Sequence, residues 1–151
     1  MVPFRGTFDH TLDAKNRLTV PAKFRSALAD GVVLAGSSEV TPGEPRSLAV
    51  WTAEAYDAYT ASALNGLNPL SPTARQLKRF FFNHSYDTEL DSAGRVMIPP
   101  FLMTYAGLGK DVVVTGSGEC LEVWERTTYA RYQDEVLARI PDIAASLGDT
   151  T

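Results

Sequence analysis

Cysteine is almost missing from this sequence: Cys120 stands alone among 151 residues. No internal disulfide can form, which is the pattern of a reducing compartment. Long apolar runs are missing as well. No stretch approaches the roughly 20 residues needed to span a bilayer, and residues 1–6 lack the apolar run of a signal peptide. The cytoplasm is the expected location, with no membrane partner. Charge of one sign is not in excess either, since 18 acidic and 14 basic residues leave a net charge of -4. With 44% hydrophobic and 21% charged residues the chain is neither disordered nor fibrous. At this length roughly 68–70% of the unfolded surface can be buried, so a core forms without disulfides or metals.

Catalytic signatures are absent too. There is no phosphate-binding G-x-x-x-x-G-K, dinucleotide turn, nucleophile elbow or H-E-x-x-H. His10 and His84 lie outside zinc-ligand spacing. Cys120 sits beside an expected strand and reads as packing, not as a nucleophile. No enzyme, cofactor, metal or small-molecule substrate is expected.

What the chain does have is an internal repeat. Shifted by 78 residues, Phe4-Arg-Gly-Thr-Phe-Asp-His-Thr-Leu-Asp13 falls on Phe82-Asn-His-Ser-Tyr-Asp-Thr-Glu-Leu-Asp91. Asp13-Ala-Lys-Asn-Arg-Leu-Thr-Val-Pro21 then falls on Asp91-Ser-Ala-Gly-Arg-Val-Met-Ile-Pro99. Further on, Val32-Val-Leu-Ala-Gly-Ser37 matches Val112-Val-Val-Thr-Gly-Ser117, and Leu48-Ala-Val-Trp51 matches Leu121-Glu-Val-Trp124. The order of matches is the same in both halves, so the chain is a duplicated module. Each half is too thin to bury the apolar face of a sheet alone, which predicts one pseudo-symmetric body.

The repeat predicts a strand over residues 4–12, a turn, and a short strand over 17–20. Asn16 and Gly94 share the same turn position, and both types tolerate a positive φ. Pro21 and Pro99 are expected at the first turn of a short helix, carrying Phe24 and Leu28 in one half and Leu102 and Ala106 in the other. Strands follow at 32–34 and 112–114 and before Trp51 and Trp124. Closing helices are expected to be capped by Thr52 and Thr127. The first half has a longer turn over residues 39–47. Ser71 and Pro72 mark the start of a connecting helix, whose Phe80, Phe81 and Phe82 are expected to anchor it in the second half. The last helix, residues 129–140, carries Tyr132, Val136 and Ile140 as one stripe, expected to pack on its own sheet. This divides the chain into a first half (1–64), a connecting loop and helix (65–81), a second half (82–140) and a tail (141–151) with a frayed end.

The charge is uneven along this plan. Residues 1–25 hold Arg5, Lys15, Arg17, Lys23 and Arg25 against Asp9 and Asp13, a local +3, so the other 126 residues carry -7. Local potential is what a phosphate meets. Asp13/Arg17 and Asp91/Arg95 are the constellation that matters. An aspartate and an arginine four apart around a turn can form an ion pair that either locks the turn or aims the arginine at a partner. Lys15 adds a second cation to the first turn, where the second has Ala93. Paired aspartates could also serve acid–base or metal chemistry, but each has an arginine to occupy it. Arg75, Lys78 and Arg79 beside the phenylalanines read as a solvated face.

Phe4-Arg-Gly, with Leu12-Asp-x-Lys-x-Arg-Leu-x-x-Pro-x-x-Phe-Arg25 and its echo Leu90-Asp-x-x-Gly-Arg-Val-x-Ile-Pro99, resembles the MraZ family of bacterial transcriptional regulators over nearly the whole chain. The resemblance implies an α+β fold of two AbrB-like swapped-hairpin halves in one compact body, assembled into ring-shaped homo-oligomers. It implies sequence-specific binding of double-stranded DNA at tandem short direct repeats upstream of the division and cell-wall gene cluster, usually including the regulator's own gene, hence a nucleoid-associated cytoplasmic protein. Under it Arg5, Lys15 and Arg17 form the DNA face with Arg95 contributing less, and Asp13 and Asp91 orient the arginines. Asn16 departs from the family's glycine, and Ala93 from its lysine. AbrB-like hairpins also occur in antitoxins and interaction modules, where such turns would act as subunit locks.

Overall fold

Residues 3–38 and 41–149 are described by the structure, a computed structural model. In the first half come β1 (Thr7–Thr11), β2 (Arg17–Thr19), one 3₁₀ turn (Ala22–Phe24), β3 (Val32–Gly36), β4 (Leu48–Thr52) and α1 (Ala53–Leu64). α2 (Pro72–Asn83) connects to β5 (Ser85–Thr88), β6 (Arg95–Met97), α3 (Pro100–Ala106), β7 (Asp111–Gly116), β8 (Leu121–Glu125) and α4 (Arg126–Asp149). The duplicated sequence thus gives a duplicated order of elements.

The halves are interleaved, not side by side. The large sheet runs β1-β7-β8-β4-β3-β5, with every neighbour antiparallel. β1 leaves its own half to pair with β7, Thr7 opposite Thr115 and Thr11 opposite Asp111. β5 returns the exchange by pairing with β3, Val32 opposite Thr88. Exchanging the halves leaves the strand order unchanged, so a pseudo-twofold axis passes between β4 and β8, where Ala49 faces Glu122. β2 and β6 form a separate two-stranded ribbon with Leu18 opposite Val96. One pseudo-symmetric body is what the repeat predicts, and its α+β build with exchanged strands is what the resemblance implies.

Both faces of the central strands are covered, which explains the unbroken apolar run Val32-Val-Leu-Ala35. On one face Leu34, Leu48, Val50, Val112, Val114 and Leu121 meet the ribbon's Leu18 and Val96 in the main core. On the other, Val33, Ala49 and Trp51 pack with Tyr56 of α1. Thr52 and Ser71 cap α1 and α2 as predicted, accepting from Ala55 N and Ala74 N, each at 3.1 Å.

Several local expectations are corrected. The first strand is shorter than residues 4–12: Gly6 adopts φ 106°, which breaks it, and Phe4 makes an isolated bridge to Gly118. Pro21 and Pro99 sit outside their helices in extended conformation, ψ 135° and 148°. Pro99 is held there by Pro100, since a residue before proline avoids the helical region. In the first half only a 3₁₀ turn follows, and Leu28 is buried in the turns beyond it. Thr127 is not the cap of α4. The Glu125 carboxylate accepts from Thr127 N at 2.8 Å, Thr128 N at 2.9 Å and the Thr128 hydroxyl at 2.6 Å, so the helix begins earlier. In the long turn, Thr41 and Glu44 are joined by a backbone bond of 2.9 Å; Glu39 and Val40 lie outside the described residues.

The three phenylalanines do not all anchor the second half. Successive helical residues point about 100° apart, so they part company. Phe81 is buried against Tyr59 of α1, and its carbonyl accepts the Tyr56 hydroxyl at 2.9 Å. Phe80 stacks on His84 and meets Tyr105 of α3, while Phe82 is 59% exposed. α4 also departs from expectation. Tyr132 packs on the sheet as expected, stacking on Trp124 of β8, but Ile140 does not: the helix runs through Pro141 to Asp149, and its side chains from Leu137 to Gly148 are exposed. Pro141 is compatible with helical φ and costs the helix only the bond its missing N–H would have made.

Candidate nucleic-acid interface

The two Asp-x-x-x-Arg turns have the same construction. In the first, Asp13 Oδ1 accepts from the backbone N–H groups of Lys15 and Arg17, both at 2.9 Å, and Oδ2 accepts from Arg17 Nε at 2.5 Å. In the second, Asp91 Oδ1 accepts from Ala93 N and Arg95 N, both at 2.9 Å, and Oδ2 from Arg95 Nε at 2.9 Å. Asn16 at φ 55° and Gly94 at φ 76° close the turns in the left-handed region, as their shared position predicts. Two equivalent backbone bonds tie turn to turn: Val20 N donates to Gly94 O and Ile98 N to Asn16 O, both at 2.9 Å.

Each aspartate therefore has both oxygens engaged inside its own turn. Among the described residues no group of three His, Cys, Asp or Glu is placed to hold a metal. The Arg17 backbone N–H, then its guanidinium and the Lys15 N–H, hold the Asp13 carboxyl at about 2. Asp91 is lowered by the equivalent Arg95 groups. A depressed carboxyl stabilises the fold at pH values above its unfolded pKa, and that contribution is lost as the pH falls through the folded value. Carbon-detected NMR titration is expected to show Asp13 still ionised at pH 3, with a midpoint about 2, and Asp91 below the ordinary carboxylate range. A midpoint near 4 at Asp13 would overturn the geometry of the turn.

Paired residues of an antiparallel ribbon project to the same face. Leu18 and Val96 take the inner face of β2–β6 and are buried. The outer face therefore carries Arg17 opposite Met97 and Thr19 opposite Arg95. The two arginines sit on a diagonal across the pseudo-axis, about 7–8 Å apart at this kind of spacing. Each ion pair uses Nε, so the terminal guanidinium nitrogens are not consumed by it. Lys15 projects from the first turn, exposed.

Two further cations join the turns, Lys110 without any local sequence signal and Arg25 from the end of the first motif. Lys110, just before β7, donates to Asp13 O at 2.9 Å and to Asn16 Oδ1 at 2.6 Å, so the asparagine that replaces glycine gains a side-chain contact. Arg25 lies across the second turn. Its Nε donates to Val20 O at 3.0 Å, and a Cβ at Gly94 would collide with its guanidinium. The second turn lacks its lysine but has a guanidinium brought over from the first half. Arg5 is not gathered with the others: it precedes β1 at the end where Gly6 O accepts from Gly116 N, with the strand, roughly 16 Å long, between it and the turns.

Two consecutive stretches, residues 3–80 and 81–146, match the family model described as "MraZ protein, putative antitoxin-like". A protein of Leuconostoc citreum named "Transcriptional regulator MraZ" is 38% identical over 97% of this chain and 97% of its own length. Proteins of the same name from Symbiobacterium thermophilum and Corynebacterium diphtheriae are 36% and 38% identical, covering 95% and 89% of this chain and 99% and 90% of theirs. The described helices include none long and apolar enough to cross a membrane.

Proposed function

Because the chain belongs to the MraZ family, we propose that it regulates transcription by binding double-stranded DNA sequence-specifically through the outer face of the β2–β6 ribbon and its two turns. A two-stranded ribbon fits a major groove about 12 Å wide, and an arginine there can engage guanine O6 and N7 together. The observation that carries this reading is the pair of arginines on the solvent face, each held by its own aspartate. An arginine already aimed loses less rotamer freedom on binding. Arg17 reads bases. Lys15 and Lys110 contact phosphates beside the first turn, while Arg25 supports Arg95 at the second. Arg5 contributes charge from a separate position.

One subunit with so few cations binds weakly. The chain acts as a ring-shaped homo-oligomer on tandem short direct repeats upstream of its own gene and the division and cell-wall gene cluster, where later contacts become intramolecular and affinity rises by about 10²–10⁴. Fluorescence anisotropy with that upstream duplex, a scrambled duplex and a duplex of altered repeat spacing tests this. Tight binding is expected for the native spacing alone, with the logarithm of affinity falling about 0.9 per neutralised phosphate against the logarithm of salt. Equal affinity for all three duplexes overturns the reading. The antitoxin-like description of the family model keeps one alternative in view, an interaction module whose turns are subunit locks. Oligomerisation without salt-dependent DNA binding is its signature.

A further inference from the structure

α4 is twice the length of its counterpart in the first half, 24 residues against 12 for α1. The extra turns carry apolar side chains in water: Leu137, Ile140 and Ile143 are 57%, 45% and 43% exposed. Val136, Ile140 and Ile143 follow one another at spacings of four and three, the seam of a helix that packs on another element. Residues 134–148 hold Asp134, Glu135 and Asp142 against Arg139, a net of -2.

A surface of opposite character lies along the connecting helix. A groove of about 690 Å³ runs between α2 and the segment that joins it to α1, lined by Leu64, Leu67 and Phe82 together with Arg75, Lys78 and Arg79. Arg75, Lys78, Arg79 and Phe82 share one face of α2 at spacings of three, one and three. Phe82 and Leu67 are 59% and 39% exposed, and the lining contains no acidic residue. One surface is a protruding apolar and acidic helix, the other an apolar and basic cleft.

We propose that these surfaces join copies of the chain head to tail, the distal part of α4 lying in the α2 groove of the next subunit. The proposal rests on the ring reading above and names the contact that builds the ring. Two unlike surfaces make a heterologous contact, which closes into a ring when the rotation per subunit allows. Self-pairing of α4 sets like charges together, whereas the groove offers three cations. Neither surface includes a residue of the ribbon or its turns.

The test is mass by size-exclusion light scattering on the full chain and two variants, Ile140→Asp/Ile143→Asp and Phe82→Asp, with circular dichroism to confirm folding. All three positions are exposed, so the fold is spared. Wild type is expected to be larger than a dimer and each variant a monomer. Mixed in equal amounts, the variants should give a dimer and nothing larger, because each retains the surface the other lacks. Association of Phe82→Asp through its own intact α4, a monomeric mixture, or a variant of wild-type mass would overturn this contact while leaving the ring reading in place. A wild type that is itself no larger than a dimer would overturn both. Anisotropy on a single-repeat duplex, expected to change less than twofold in either variant, separates assembly from DNA binding.

Discussion

Replacing Arg17 with alanine is expected to reduce operator binding to the level of scrambled DNA while leaving the melting temperature within about 2 °C of wild type. A base-reading arginine is worth about 1–3 kcal/mol of discrimination per site, a factor of roughly 5–150, and every subunit of a ring loses it at once. Arg17 has little to do for the fold, because its ion pair is on the surface, where such pairs stabilise little. Arg95→Ala should weaken binding less, since that turn lacks the lysine and is backed by Arg25 alone. Lys15→Ala should weaken all duplexes alike and lower the salt slope by about one. Anisotropy and calorimetry on the same samples decide the matter. If Arg17→Ala lowers the melting temperature sharply or breaks the oligomer while DNA affinity is unchanged, the turn is a lock and the interaction-module reading takes over.

Leu18→Ala is expected to do the opposite. Leu18 is fully buried under the ribbon, opposite Val96 at the pseudo-axis, and flanked by Arg17 and Thr19. Truncating a buried leucine costs about 2–5 kcal/mol, the larger values where the cavity cannot collapse. For a chain of this size that is a fall of roughly 5–15 °C in melting temperature. Because the ribbon's register holds both arginines, operator affinity should fall as well, though less than in Arg17→Ala. Thermal unfolding beside anisotropy separates the two variants. Unchanged stability in Leu18→Ala would mean that the ribbon is not clamped to the sheet.

The sequence was informative wherever a residue type answers to its own backbone. Asn16 and Gly94 were placed correctly because a turn with positive φ restricts the choice of residue. Thr52 and Ser71 cap because their hydroxyls need reach only the N–H three residues on. It was uninformative wherever two candidates compete locally or the contact is distant. Glu125 displaced Thr127 as the cap of α4, since a carboxylate can accept from two backbone N–H groups and a hydroxyl together. The last helix was bounded at 140, yet α4 runs on through Pro141, since a solvent-facing helix tolerates the one bond a proline loses. At the candidate site both aspartates, both arginines and Lys15 were visible as a motif, and Arg25 as the cation that ends it. Lys110 and the placement of Arg25 across the second turn were not, because they depend on the exchange of strands between halves, which leaves no trace in local periodicity.

That exchange bears on how the protein is made. β1 cannot find its ladder partner until β7 exists, and Thr11 and Asp111 are 100 residues apart. At a ribosomal speed of about 5–20 residues per second, β1 waits on the order of 5–20 s with both edges open before its partner strand emerges. The first half therefore leaves the ribosome as an incomplete object, whose exposed edge fits a neighbouring nascent chain as well as its own second half. Chains translated close together on one message compete for that edge, and the rate of elongation through residues 85–116 sets how often a chain closes on itself.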